Sequence, residues 1–125
     1  MNEKLTGYRL SPQQRRVWAA ERRGDTCYAQ TLVWLEGKLD RDRLQKALQK
    51  VMHRYEVLRT TFHRSPGRIY PLQVVRERIP AIWNFIDGTD CRSKDQRHLI
   101  AELLHEERQP MVWEHGPFMR DVVWM

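Results

Sequence analysis

The stretch RDRLQKALQKVMHRYEVL, from Arg41 to Leu58, limits the possible folds of this chain more than any other. Leu44, Ala47, Leu48, Val51, Met52, Tyr55 and Leu58 recur at the three- and four-residue spacing of one helical stripe. Asp40, just before it, reads as the N-cap. So continuous a stripe is predicted to face a core and is not a cofactor box. The helix then runs into TTFHR, which favours strand, with Arg59 at the junction. A cation placed where a helix stops and a strand begins needs a reason.

The remaining elements are arranged around that helix. GYRL has strand character, and Ser11, Pro12 and Gln14 form a Ser-x-x-Gln capping box for a helix that stops near Gly24. Its apolar side is thin (Val17, Trp18 and Ala20), which predicts a surface helix. Residues 28–36, YAQTLVWLE, read as a strand with both faces partly covered. TTFHR and RIYPLQVV read as two strands about the turn Ser65-Pro66-Gly67, the second at an edge or bulged because Pro71 lacks an N–H. RERIPAIWNFIDGTD reads as irregular, broken by Pro80 and Gly88. A capping box at Ser93 and Gln96 opens a third helix, with Leu99, Ile100, Leu103 and Leu104 inward, which ends before Pro110. FMRDVVWM is a final strand. A chain that stops on an uncapped apolar strand reads as a truncated piece of a larger protein.

With 125 residues the chain supports one small domain, and its composition (41% hydrophobic, 30% charged) is that of a globular protein. No apolar run can span a bilayer and the start lacks the apolar core of a signal peptide, so a cytoplasmic protein without a membrane partner is expected. Cys27 and Cys91 lack ligand spacing and read as reduced thiols. The net charge of +6 invites a nucleic-acid partner, but the basic residues alternate with acids, as in ERR, DRDR and EER, and no nucleic-acid motif accompanies them. A basic surface equally attracts an acidic protein. There is no phosphate loop, nucleophile elbow or zinc motif. Among the five histidines, His98 and His105 lie two turns apart on the third helix without a third ligand, and a structural or surface role is the better reading for each.

Two motifs carry a resemblance. LSPQQRRVW, Leu10 to Trp18, resembles the first core motif of nonribosomal peptide synthetase condensation domains, L-S-x-A-Q-x-R-x-W, with Gln13 in place of the usual alanine. RYEVLRTTF, Arg54 to Phe62, resembles the second, R-H-E-x-L-R-T-x-F, with Tyr55 in place of histidine. LEGKLDRDRL and GPFMRDVVWM are similar to further family segments at the expected places. The resemblance runs from about Tyr8 to the last residue. It implies an α/β fold of the chloramphenicol acetyltransferase type, of which residues 1–125 are most of the first lobe: three helices on a small, incomplete mixed sheet.

The activity implied is amide-bond formation between acyl and aminoacyl thioesters carried on the phosphopantetheine of carrier proteins, with no cofactor held by the domain itself. The family's His-His-x-x-x-Asp-Gly motif lies beyond Met125, so no residue here is catalytic and the fragment is expected to be inactive alone. The resemblance assigns Arg59 an ion pair with the aspartate of that motif. Losing one partner of such a buried pair costs roughly 3–5 kcal/mol. An arginine held only by helix-end carbonyl dipoles contributes about 0.5 kcal/mol. Arg15, Arg22 and Arg23 are candidate contacts for an acidic carrier protein, against the alternative of a solvated face. The rest of the condensation domain and synthetase, and self-association through the terminal strand, complete the expected partners. A stand-alone docking module without chemistry remains the second reading. Starter and epimerisation relatives share these motifs, whereas heterocyclisation domains begin differently.

Overall fold

The computed structural model describes residues 6–88, 93–108, 112–116 and 118–124. The order is β1 (Gly7–Tyr8), α1 (Pro12–Arg22), α2 (Arg41–Arg54), a 3-10 turn (Glu56–Arg59), β2 (Thr60–His63), β3 (Leu72–Val75), β4 (Ile82–Ile86), α3 (Ser93–Glu106) and β5 (Arg120–Trp124). The strands form two sheets. One is antiparallel in the order β1-β3-β2, and the other is the parallel pair β4-β5 with α3 as its crossover.

The first motif folds as its residues dictate. Gln14 N–H donates to Ser11 Oγ at 3.1 Å, and Ser11 N–H donates to Gln14 Oε1 at 2.8 Å, so each satisfies a donor that the helix start would orphan. The Gln14 side chain also bonds outside its own helix. Its Nε2 donates to Gln73 Oε1 at 2.9 Å, while Gln73 Nε2 donates to the Arg9 carbonyl at 2.9 Å. One amide thus caps α1 and fastens it to β3. Gly24, at φ +97°, ends the helix in a backbone conformation that glycine adopts without strain.

The core forms where α1 meets β2. Leu10, Trp18 and Phe62 are buried, with Trp113 and Phe118 packed against them. The four rings meet edge to face, with Phe62 and Trp113 centroids 4.9 Å apart and Trp18 and Trp113 5.2 Å apart. Each such pair adds about 0.5–1.5 kcal/mol beyond its buried area. Phe62 N–H donates to the Trp113 carbonyl at 2.8 Å, so the 112–116 segment lines the edge of β2 that β3 leaves free. Met52, Thr61, Val74 and Ile79 are buried nearby, with the Thr61 hydroxyl satisfied by His63 Nε2 at 2.8 Å.

Five expectations need correction. The surface helix α1 supplies the core's largest side chain, because Trp18, though alone on its stripe, reaches the whole aromatic cluster. On α2 only Met52 is fully buried; Leu44, Leu48 and Leu58 are half-buried, while Ala47, Val51 and Tyr55 face solvent. The stripe is therefore wider than the surface that covers it here. Residues 28–36 form no strand, because among the described residues no strand lies beside them to complete a ladder, and Leu32, Val33, Trp34 and Leu35 are 59–67% exposed. β3 is central instead of an edge strand, since Pro71 stands just before it and costs no ladder bond. The stretch read as irregular contains β4, which Pro80 and Gly88 bound without breaking. The state of Cys91 lies outside the described residues, and at Ser93 the structure describes only the backbone, as the first residue of α3; Cys27 is a free, exposed thiol.

Candidate active-site support around Arg59

Arg59 closes the 3-10 turn between α2 and β2 and is half-buried. Its Nε donates to the Met52 carbonyl at 3.1 Å, in the last turn of α2. Its Nη1 donates to the Arg76 carbonyl at 2.5 Å and lies 3.4 Å from that of Glu77. The backbone reciprocates, with Arg76 N–H donating to the Arg59 carbonyl at 2.7 Å. The cation thus joins the end of α2 to the segment that leaves β3. Among the described residues its partners are carbonyl dipoles and no carboxylate.

Three residues on, a second clamp holds the same segment. Gln49 Nε2 donates to the Ile79 carbonyl at 3.1 Å, and its Oε1 accepts from Ala81 N–H at 3.0 Å. Sequence reasoning missed Gln49; a polar residue beside the α2 stripe was its only trace. Opposite stands the turn at 112–116. Gly116, at φ +50°, packs so closely that a side-chain carbon there would lie 3.1 Å from Thr61 Cγ2. Between the two walls runs a groove of about 530 Å³ lined by Arg76, Glu77, Arg78, Ile79, Pro80 and His115.

The expected docking arginines divide. Arg15 lies over the Tyr70 ring at 5.0 Å and Arg22 over Trp18 at 5.5 Å. Arg64, not singled out from sequence, lies over the same Trp18 ring at 5.1 Å, so α1 and the end of β2 present cations together. Arg23 caps α1 through its backbone and has no ring contact among the described residues. His98 pairs with Glu102 on α3 at 2.9 Å, and no group of three described residues can hold a metal. No helix among the described residues is long and apolar enough to cross a membrane.

Comparison with known proteins decides the family, since the model of the condensation domain matches residues 4–123. The chain belongs to the condensation-domain family. It is 31% identical over 116 residues to surfactin synthase subunit 2 of Bacillus subtilis and 34% identical over 116 residues to tyrocidine synthase 3 of Brevibacillus parabrevis. Each alignment covers 90% of this chain but only 3% and 2% of the relative, so the chain spans a small part of those synthetases. In structure it is similar to the condensation domain of the monacolin K polyketide synthase MokA, with a TM-score of 0.56 at 23% identity over 71% of this chain and 20% of that one. It is also similar to AB3403, a holo four-domain nonribosomal peptide synthetase bound to AMP and glycine, with a TM-score of 0.54 at 20% identity over 68% and 6% of the two chains. These two likenesses establish the fold: three helices with mixed sheets, as a partial lobe of the chloramphenicol acetyltransferase type. In this condensation-domain chain the second motif contains Arg59, the side chain that pins the 76–77 segment.

Proposed function

We propose that this chain is the first part of a condensation domain that, in a complete synthetase, joins two carrier-bound thioesters through an amide. The amine nitrogen of one substrate attacks the thioester carbonyl of the other. A C–N bond forms, the C–S bond breaks, and the amine proton passes through a general base to leave a free thiol on the donor's phosphopantetheine. The base is a histidine of a His-His-x-x-x-Asp-Gly motif supplied by further chain. The family match over residues 4–123 carries this reading. Arg59 supports it: with Nε and Nη1 committed to carbonyls, Nη2 keeps two N–H donors with which to hold the motif's aspartate. No cofactor is assigned to the domain, and the exposed Cys27 thiol suits the reducing cytoplasm.

The test extends the chain with its downstream reading frame and supplies two loaded carrier proteins. Amide product is expected from the extended protein, none from the 125-residue chain, and at least about tenfold less from extended Arg59→Ala. Full activity of that variant would remove Arg59 from the site. No product from an extended protein that carries the motif would remove the reaction.

The carrier contact belongs to the same proposal. Arg15 and Arg22, joined by Arg64, face an acidic carrier surface, and Arg23 stands beside them at the end of α1. Docking without catalysis is the reading to which the Arg15–Arg22–Arg64 face would fall back if no amide formed. The exposed run Leu32 to Leu35 and the parallel pair β4-β5 support a further partner, a second copy exchanging strands.

A further inference from the structure

The groove beside Arg59 has a chemical bias that the peptide-forming reaction does not use. Its first wall has few free acceptors: the carbonyls of Arg76 and Glu77 are held by Arg59, and that of Ile79 by Gln49. What remains to meet a ligand is mainly donors. Arg76, Arg78 and His115 all line the space, and among the described residues none of their side chains has a hydrogen bond or ion pair. Glu77 is the one acidic side chain in the lining. The walls are also fixed in advance. Ile79 is buried at 6% exposure, both clamps come from the α2–β2 region, and Gly116 seats the opposite turn against Thr61. A cationic groove whose backbone is already satisfied loses little order on taking a ligand.

We propose that this groove is a binding site for a doubly charged oxyanion of the phosphate class, held by Arg76 and Arg78 with His115 as the third donor. Guanidinium forks match the geometry of such an anion and bind it in charge-assisted pairs. The two guanidinium charges of Arg76 and Arg78 outweigh the repulsion of Glu77. The proposal stands independently of amide formation, since it requires none of the chain that the reaction requires.

Inorganic phosphate is the probe, titrated into the 125-residue chain against sodium chloride at matched ionic strength. The side-chain resonances of His115, Arg76 and Arg78 are followed by nuclear magnetic resonance. The expected result is saturable shifts at these three residues. Binding should be at least about tenfold weaker in Arg76→Gln/Arg78→Gln and unchanged in Arg43→Gln/Lys46→Gln on α2. Glu77→Gln is expected to tighten binding. Shifts that follow ionic strength alone would overturn the site, as would equal weakening in the α2 control. Arg78 is exposed and its side chain bonds to no described residue, so Arg78→Gln by itself keeps the test open should the double variant fold poorly.

Discussion

Arg59 and Asp121 are two charged residues that the fold treats in opposite ways. Arg59 donates to three carbonyls from two parts of the chain. Truncating it leaves those acceptors short of a partner, so Arg59→Ala is expected to lower stability by about 1.5–3 kcal/mol, read by urea denaturation. Arg59→Lys keeps the charge but, with one compact ammonium, cannot span Met52 and Arg76, and most of the loss should remain. A lysine variant as stable as the parent would mean that charge alone matters. Asp121, in β5, has a buried Oδ2 without a hydrogen-bond partner among the described residues, and burial pushes its carboxyl above the ordinary 3.8. The folded chain therefore binds this proton to higher pH than the unfolded chain does. Its contribution to stability falls as pH rises from 3.8 through the raised value, and stays low above it. Asp121→Asn should stabilise the chain at neutral pH and make no difference in strong acid, by denaturation at each pH. The place of Arg59 at the helix–strand junction was legible in the sequence, whereas its carbonyl partners were not, because Arg76 lies 17 residues away along the chain and offers only a backbone atom.

Among the elements, those with local signals were the legible ones. The α1 cap, the Asp40 cap of α2 and the turn at Ser65-Pro66-Gly67 follow from neighbours in sequence, and the structure has them there. β4 and the 28–36 segment came out reversed, because a strand exists only when something pairs with it. β4 has β5 in parallel register from Ile82↔Arg120 to Ile86↔Trp124, while 28–36 has only its start tied down, by Gln30 Nε2 donating to the Leu104 carbonyl at 2.7 Å. The β4-β5 pair depends on Gly88, where any side-chain carbon would overlap the indole of Trp124. A rigid ring on a paired strand yields poorly, so Gly88→Ala should cost about 1–3 kcal/mol by urea denaturation. An unchanged midpoint would show that the Trp124 ring moves aside freely. The aromatic cluster makes a sharper demand: Trp18→Ala removes the ring that joins α1 to Trp113 and should cost about 3–5 kcal/mol.

At the scale of the molecule, the apolar surface is larger than the chain covers. The outward face of α2, with Val51 40% and Tyr55 52% exposed, and the run from Leu32 to Leu35 together leave hydrophobic side chains in water. The α2 stripe announced this surface plainly, but a stripe says that burial is needed and not which partner supplies it. Further chain of a condensation domain is one proposed cover, and a second copy is the other. The parallel pair favours this outcome, since two strands alone are marginal and their outer edges remain templates for pairing. The 125-residue chain should therefore sediment as a concentration-dependent mixture of monomer and larger species. Leu32→Lys/Trp34→Lys places charge on side chains that the folded chain already exposes, so circular dichroism should be unchanged while the equilibrium moves to monomer. Raising salt separates this from charge-driven contact through Arg15, Arg22 and Arg64. Apolar association holds or strengthens as salt rises, whereas an ionic contact weakens. A parent chain that stays monomeric at high concentration would exclude strand exchange and leave the exposed run for the rest of the domain to cover.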